Sequence, residues 1–115
     1  MKKVAVIGAG ISGLFIANLF KRNKKYKVTI FERNSLINLK EGYGIQLSVN
    51  SIKLLNKIQF DKLENNEKFN PDKINFYSVK NLNKICELNI SNFNTENCKY
   101  TTLKRSSLIN FLKKD

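Results

Sequence analysis

Apolar residues in the first third of the chain follow two different periods. "KKVAVIG" at residues 2–8 is a short β-branched run that ends in glycine, which is typical of a buried parallel strand. "ISGLFIANLFKRN" at residues 11–23 has apolar residues at helical spacings and basic residues in its last turn. "YKVTIFE" at residues 26–32 is a second strand. This order predicts a right-handed βαβ unit with two adjacent parallel strands.

The middle of the chain predicts shorter elements. Residues 33–43 read as a loop, and "GIQLS" at residues 44–48 predicts a brief strand. "VNSIKLLNKI" at residues 49–58 places apolar residues on one helical face, with Asn50 or Ser51 as a possible cap.

The remaining residues predict a hairpin, a strand and a last helix. "DKLENNEKFNPD" at residues 61–72 is polar and predicts a helix end or connection. "KINFYSVK" and "KICELNI" alternate loosely around "NLN", which favours an antiparallel hairpin. "KYTTL" predicts another strand. "RSSLINFLKKD" predicts a helix whose apolar stripe is Leu108, Phe111 and Leu112. The fold class is therefore α/β.

Three glycines follow the first strand with a spacing that suits phosphate binding. Gly8, Gly10 and Gly13 fit G-x-G-x-x-G between the strand and the helix. Gly8 permits the tight turn, Gly10 lets a pyrophosphate approach the backbone, and Gly13 lets the helix pack close to the sheet. The N–H groups at the start of the helix, around Ile11 and Ser12, then face the phosphates.

Residues 4–20 are open to two other interpretations, a signal peptide and a buried core helix. Lys2 and Lys3 followed by an apolar run resemble a signal peptide, but the glycines and Asn18 interrupt the run. No small-residue cleavage site follows. We interpret the stretch as the phosphate-binding turn with its supporting strand and helix, and we expect a soluble, cytoplasmic protein.

An acidic residue completes the pattern. Glu32 ends the second strand, nineteen residues after Gly13, where a carboxylate can accept hydrogen bonds from both hydroxyls of an adenosine ribose. Its charge would repel a 2′-phosphate, which disfavours NADP. The alternative is a glycine-rich turn beside an unrelated surface glutamate. The ordered pattern favours dinucleotide binding, and the spacing leaves FAD and NAD open.

Composition narrows the classes of function that remain. The 115 residues fit one small domain, and the formal charge is +12. The lysines are scattered among many asparagines, as AT-rich coding would produce, so we expect no specific nucleic-acid partner. Cys86 and Cys98 form no CxxC pair, and the chain has no histidine. We therefore expect free thiols, no metal site, and neither a Ser-His-Asp triad nor a Cys-His pair.

Three stretches resemble one enzyme family. "VAVIGAGISGLFIANLF" with "KVTIFER" looks like the amino-terminal fingerprint of the single-component FAD-dependent aromatic monooxygenases, the flavoprotein hydroxylases. "GYGIQLSVNSIKLLNKI" is similar to the segment that follows the second strand in that family, and "LKRSSLINFL" resembles its R-x-x-L-x-x-x-L helix. The resemblance implies a Rossmann-like βαβ FAD-binding domain, incomplete here, with a small antiparallel insertion from the substrate domain.

The resemblance also implies roles for individual residues. The three glycines would hold the FAD pyrophosphate, Glu32 would bind the adenosine ribose, and Arg33 would lie beside the adenine or the phosphates. Gly44 and Gln46 would approach the ribityl or isoalloxazine region, and Arg105 would contact the cofactor from the later helix.

Each of the last four residues has a plain structural alternative. Arg33 would be a solvated charge, and Gly44 would be a turn glycine. Gln46 would be an outward-facing strand residue, and Arg105 would be a surface residue of its helix. A cation at the start of a helix opposes the helix dipole, which favours a functional reason for Arg105.

The implied activity is hydroxylation of an aromatic or phenolic small molecule with FAD, NAD(P)H and O₂. Members of the family are several times longer, and their later Gly-Asp and Asp-Gly motifs do not occur here. The chain thus looks like the opening part of such an enzyme, with residues 70–103 as the start of the substrate-domain sheet. No residue stands out as a catalytic acid or base. The alternatives are another FAD-dependent oxidoreductase, or an inactive fragment that only binds the dinucleotide, and we expect this chain alone to bind FAD weakly.

Overall fold

The computed structural model of the protein describes residues 1–35 and 42–114. The chain begins with the predicted βαβ unit, formed by β1 (Lys2–Ile7), α1 (Ile11–Lys21) and β2 (Tyr26–Phe31). β1 and β2 lie parallel and side by side. The local pattern of apolar residues therefore predicted this unit correctly.

The remaining elements form an antiparallel sheet, a separate hairpin and two further helices. In chain order they are β3 (Gly44–Leu47), α2 (Val49–Leu55), β4 (Lys68–Phe69), β5 (Ile74–Tyr77), β6 (Lys84–Leu88), β7 (Thr101–Lys104) and α3 (Arg105–Lys113). β7 is the central strand of the sheet, between β3 and β4, and β5 pairs with β6 alone. Short 3-10 turns connect the elements at Asn56–Ile58, Phe60–Lys62, Asn65–Glu67 and Ile90–Phe93.

Most of the predicted elements are present, with two differences. α2 begins one residue after Ser48, which occupies the N-cap position, so the predicted cap at Asn50 or Ser51 is wrong. Ser48 takes the cap position because β3 ends at Leu47 and Ser48 itself is still extended. The polar segment contains β4, which the sequence did not predict. Of the predicted loop, residues 36–41 lie outside the described residues.

The core lies where the three helices meet the inner face of the antiparallel sheet. Its buried side chains include Leu14, Ile52, Leu55, Ile58, Phe60, Leu103, Leu108, Ile109 and Leu112. Leu108 and Leu112 of the predicted stripe are buried, whereas Phe111 is half-buried and packs edge-on against Phe60 with ring centroids 5.4 Å apart. α3 therefore holds the sheet and α1 together.

One buried polar residue links the first and last helices. Asn18 of α1 is only 8% exposed, and its Nδ2 donates to the carbonyl oxygens of Leu14 at 2.9 Å and Leu112 at 2.8 Å. Because a buried amide costs free energy unless it is hydrogen-bonded, these two bonds explain how a polar side chain is accommodated between helices.

The β5–β6 hairpin contributes little to this core. It pairs from Ile74 opposite Leu88 to Tyr77 opposite Lys84, as the alternation predicted. Most of its larger apolar side chains remain exposed, Ile85 to 69%, whereas Ile74 is half-buried. An isolated two-stranded hairpin is marginally stable in water, so this one depends on its connections to the rest of the fold. None of the helices in the described part of the chain is long and apolar enough to cross a membrane.

Candidate functional site

The glycine turn joins the end of β1 to the start of α1. Gly8 has a φ of +96°, a conformation that residues with a Cβ rarely adopt. Its N–H donates to the carbonyl oxygen of Phe31 at 2.7 Å, so the turn is fixed to the last residue of β2. The carboxyl ends of both parallel strands therefore meet at this turn.

Gly13 and Gly10 face opposite environments. A Cβ at Gly13 would lie 2.0 Å from the carbonyl oxygen of Gly8 and 3.5 Å from Cγ1 of Val6, so α1 packs directly on β1. A Cβ at Gly10 would have no atom within 4 Å, which leaves the outer side of the turn open. Gly13 is thus required by the packing of the protein itself, whereas Gly10 borders free space.

The first turn of α1 presents unpaired donors at this open side. Gly10 is the N-cap residue, and its carbonyl oxygen accepts the first helical hydrogen bond from Leu14 at 2.9 Å. No side chain caps the helix. The N–H groups of Ile11 and Ser12 have no acceptor within the helix, and they lie at the positive end of its dipole. This arrangement suits a negatively charged group such as a phosphate.

Glu32 lies directly against the turn. Its Oε2 accepts a hydrogen bond from the N–H of Ala9 at 2.7 Å, and its Oε1 accepts one from the N–H of Asn34 at 3.0 Å. The Ala9 bond most of all, then the Asn34 bond and the charge of Arg33, lower the pKa of Glu32. The carboxylate is therefore charged at neutral pH, and each oxygen keeps a further lone pair that can accept a hydrogen bond.

These features fit a dinucleotide better than a solitary anion. Open backbone donors at Gly10 and the start of α1 can bind a diphosphate, while the neighbouring carboxylate of Glu32 can accept from two adjacent hydroxyls of a ribose. A carboxylate fixed beside the donors disfavours any anion, but hydrogen bonds from the hydroxyls of a sugar attached to the phosphate can offset that repulsion. The arrangement therefore fits the group that the glycine pattern predicts.

Gly44 and Gln46 lie on β3 of the antiparallel sheet, and Arg105 lies at the start of α3. Gln46 faces outward on β3, and its Oε1 accepts a hydrogen bond from the hydroxyl of Tyr100 at 2.8 Å. Gly44 pairs with Lys104, and a Cβ there would meet only the Leu103 carbonyl oxygen at 3.8 Å. The fold itself therefore does not require glycine at this position.

Arg105 and Arg33 occupy different settings. Arg105 is the first residue of α3, and its N–H donates to the carbonyl oxygen of Tyr43 at 2.9 Å. Its side chain is half-buried and packs against Gly42. Arg33 is exposed next to Glu32.

Two residues at these sites were missed by sequence reasoning. Ala9 supplies the N–H that donates to Glu32. Its position inside G-x-G was the available signal, because that pattern indicates a turn whose backbone groups form hydrogen bonds. Gly42 has a φ of +79°, and the pair of glycines in "EGYG" was the available signal.

Comparison with known proteins bears on the segment around the glycine turn and on the overall fold. Residues 6–37 match the model of a family described as an NAD(P)-binding Rossmann-like domain. This segment runs from the end of β1 through α1 and β2 and includes Glu32. No curated protein matches the chain in sequence.

Several solved structures resemble nearly the whole chain. 2-Methyl-3-hydroxypyridine-5-carboxylic acid oxygenase, in its tetrameric form, has a TM-score of 0.77 at 19% identity over 97% of this chain and 28% of its own. HpxO of Klebsiella pneumoniae, complexed with FAD and uric acid, has a TM-score of 0.76 at 17% identity over 96% of this chain and 28% of its own. 2,6-Dihydroxypyridine-3-hydroxylase of Arthrobacter nicotinovorans has a TM-score of 0.68 at 18% identity over 96% and 25%.

The chain shares their fold. It spans about a quarter of the length of these structures. The α/β, Rossmann-like fold expected from the sequence is thereby confirmed, and the structures that share it include a hydroxylase, an oxygenase and an FAD complex, as the sequence resemblance implies.

Proposed function

We propose that this chain is the N-terminal FAD-binding part of a flavin-dependent monooxygenase that hydroxylates an aromatic or phenolic small molecule with NAD(P)H and O₂. The observation that carries the proposal is the 2.7 Å hydrogen bond that places the Glu32 carboxylate against the N–H of Ala9 in the glycine turn. Similarity in fold to an FAD complex and to two enzymes named for hydroxypyridine substrates supports it.

The residues of the turn would bind the adenosine diphosphate half of FAD. Gly10 leaves space for the pyrophosphate, and the N–H groups of Ile11 and Ser12 donate to it. Glu32 accepts hydrogen bonds from the ribose hydroxyls through its remaining lone pairs, while its charge disfavours a 2′-phosphate. Gly8 and Gly13 set the path of the backbone, and on this proposal Arg33 lies beside the adenine or the phosphates.

The sheet residues would bind the flavin half. FAD, when bound, supplies the redox chemistry with O₂. On this proposal Gly44 and Gln46 approach the ribityl chain or the isoalloxazine ring, and Arg105 contacts the cofactor from α3. Because the Tyr100 hydroxyl donates to Oε1 of Gln46, the Nε2 of Gln46 is the atom left to donate to a ligand. The chain supplies binding and orientation, and we assign it no catalytic acid or base.

We further propose that residues 70–103 begin the sheet of a substrate domain. The exposed apolar side chains of the β5–β6 hairpin support this, since a hairpin with uncovered apolar residues needs a further layer. The free thiols of Cys86 and Cys98 are in keeping with a cytoplasmic enzyme.

A second candidate is binding of NAD(H) alone, which the matching NAD(P)-binding family model favours. The test is a titration of the chain with FAD, NAD⁺ and NADP⁺ by isothermal calorimetry and flavin fluorescence, with ADP as competitor. Glu32→Gln removes the carboxylate charge, and Glu96→Gln, which changes an exposed glutamate elsewhere, is the matched control.

We expect weak FAD binding, and we expect ADP to compete with FAD for the site. Glu32→Gln should weaken FAD binding about tenfold, whereas Glu96→Gln should leave it unchanged. Binding of NAD⁺ without FAD would favour the second candidate. Equal FAD affinity in wild type and Glu32→Gln would contradict the assigned ribose site.

A further inference from the structure

Gly42 makes a contact with Arg105 that a side chain would prevent. A Cβ at position 42 would lie 2.8 Å from Cδ of Arg105 and 3.8 Å from its Nε. The φ of Gly42 is +79°, in the left-handed region that favours glycine. The backbone conformation therefore favours glycine, and a Cβ at this position would push the Arg105 side chain aside.

The backbone on either side of this contact is fixed. The N–H of Arg105 donates to the carbonyl oxygen of Tyr43 at 2.9 Å, and Gly44 pairs with Lys104 across β3 and β7. The chain that follows residue 42 is therefore held beside the start of α3. The Arg105 side chain is flexible, so it would be the group displaced by a larger residue at position 42.

The setting of Arg105 indicates why its position matters. It places a cation at the positive end of the α3 dipole, where no side chain caps the helix, and this is unfavourable for an isolated helix. Lys104 and Ser107 beside it line a cleft of about 510 Å³ together with residues of β4. Of the two consecutive cations at this helix start, Lys104 lines the cleft, together with Lys68 and Glu67. The uncapped start of α3, with Arg105 as its first residue, suits an anionic ligand.

We propose that Gly42 is a positioning residue. Because glycine has no side chain, the Arg105 side chain can lie against it, and the guanidinium is thereby placed where it binds the anionic part of the dinucleotide. The proposal rests on the proposed function, which makes Arg105 a cofactor ligand. Gly42 itself does not touch the cofactor, and its effect passes through Arg105.

The first test needs no cofactor. The Nε–Hε resonance of Arg105, one of three arginines in the chain, can be assigned in a ¹H–¹⁵N spectrum by its loss in Arg105→Lys. We expect Gly42→Ala and Gly42→Asn to shift this resonance, since both introduce a Cβ. Asn tolerates a positive φ better than Ala, so Gly42→Asn separates displacement of the arginine from backbone strain.

Tyr43→Ser is the matched control, because the Tyr43 side chain is 94% exposed and only its carbonyl bonds Arg105. An unshifted resonance in both Gly42 variants would overturn the proposal.

The second test is a double-mutant cycle on FAD affinity. We expect Arg105→Ala to weaken FAD binding at least about tenfold, as loss of a charge-assisted hydrogen bond does. Gly42→Asn should weaken it too, whereas adding Gly42→Asn to Arg105→Ala should change nothing further. Arg105→Lys should restore part of the affinity only when residue 42 is glycine.

The outcomes separate this inference from the proposed function. Additive losses from Gly42→Asn and Arg105→Ala would overturn the positioning role while leaving FAD binding intact. If Arg105→Ala leaves FAD affinity unchanged, both the positioning role and the assignment of Arg105 as a ligand are wrong, although Glu32→Gln would still report on the ribose site. A wild-type chain that binds no FAD would overturn the proposed function as a whole.

Discussion

Replacing Gly13 by alanine tests how closely α1 packs on β1. In an ordinary helix position this change stabilises a protein by about 0.5–1 kcal/mol, because alanine loses less conformational entropy. At Gly13, however, the new Cβ would lie 2.0 Å from the carbonyl oxygen of Gly8, whereas real Cβ contacts stay beyond 3.0 Å. The helix must therefore move by about 1 Å from the strand.

The cost of that movement follows from what α1 contacts. The clashing group is the main-chain carbonyl of Gly8, so no side chain can rotate to relieve the clash. Leu14 sits in the core next to Gly13, and Asn18 bonds Leu112, so displacing the helix disturbs both. Overpacking a core costs about 1–3 kcal/mol, and we expect the upper end of that range, about 3 kcal/mol.

The assay is equilibrium unfolding in urea followed by circular dichroism. With a slope of about 1–3 kcal/mol per molar, a loss of about 3 kcal/mol in Gly13→Ala should lower the urea midpoint by about 1–3 M. Gly10→Ala is the matched control, because its φ is −71° and its Cβ would meet no atom within 4 Å. Losing glycine at an N-cap costs about 1 kcal/mol or less, so this variant should stay folded. Its defect should appear in FAD binding instead.

The reverse pattern would refute this reasoning. If Gly13→Ala had the same urea midpoint of unfolding as the wild type, the helix would not lie against the Gly8 carbonyl as described. If Gly10→Ala destabilised the chain as much as Gly13→Ala, the open side of the turn would be occupied by protein, and the space assigned to the pyrophosphate would not exist.

Three further changes test other contacts. Hydrogen bonds from Ala9 and Asn34 lower the pKa of Glu32, so its contribution to stability is present above the unfolded-state pKa and is lost as the pH falls through the lowered one. The difference in melting temperature between wild type and Glu32→Gln should shrink between about pH 7 and about pH 2, and a constant difference would contradict the bond to Ala9. Asn18→Leu leaves the Leu112 carbonyl without its partner and should cost about 1–3 kcal/mol in urea unfolding. Leu108→Ala, at a fully buried position, should cost about 2–5 kcal/mol by the same assay, and a loss below 1 kcal/mol would place Leu108 outside the core.

Sequence reasoning succeeded where the deciding interactions are local. The βαβ unit and the β5–β6 hairpin follow from periodicity and turn residues within short windows, and both are present. The approach of Glu32 to the glycine turn followed from its spacing, because parallel neighbouring strands bring their carboxyl ends together. These features need no knowledge of distant residues.

The features that were missed depend on distant partners. β4 is only two residues long and lies in a polar stretch without periodicity, and it is a strand because β7 offers an edge to pair with. The conformation of Gly42 is tied to Arg105, which lies far along the chain. The outward position of Gln46 was considered from the sequence, but its partner Tyr100 could be found only once β3 and β7 were side by side.

The bond between Asn18 and Leu112 has a consequence for synthesis on the ribosome. The strands and helix of the first unit emerge early, but the acceptor for the Asn18 amide is made 94 positions later. Until then, the side of α1 that bears Leu14 and Ala17 lacks its cover from α3 and is open to chaperones. The first βαβ unit thus reaches its final packing only after α3 has been made.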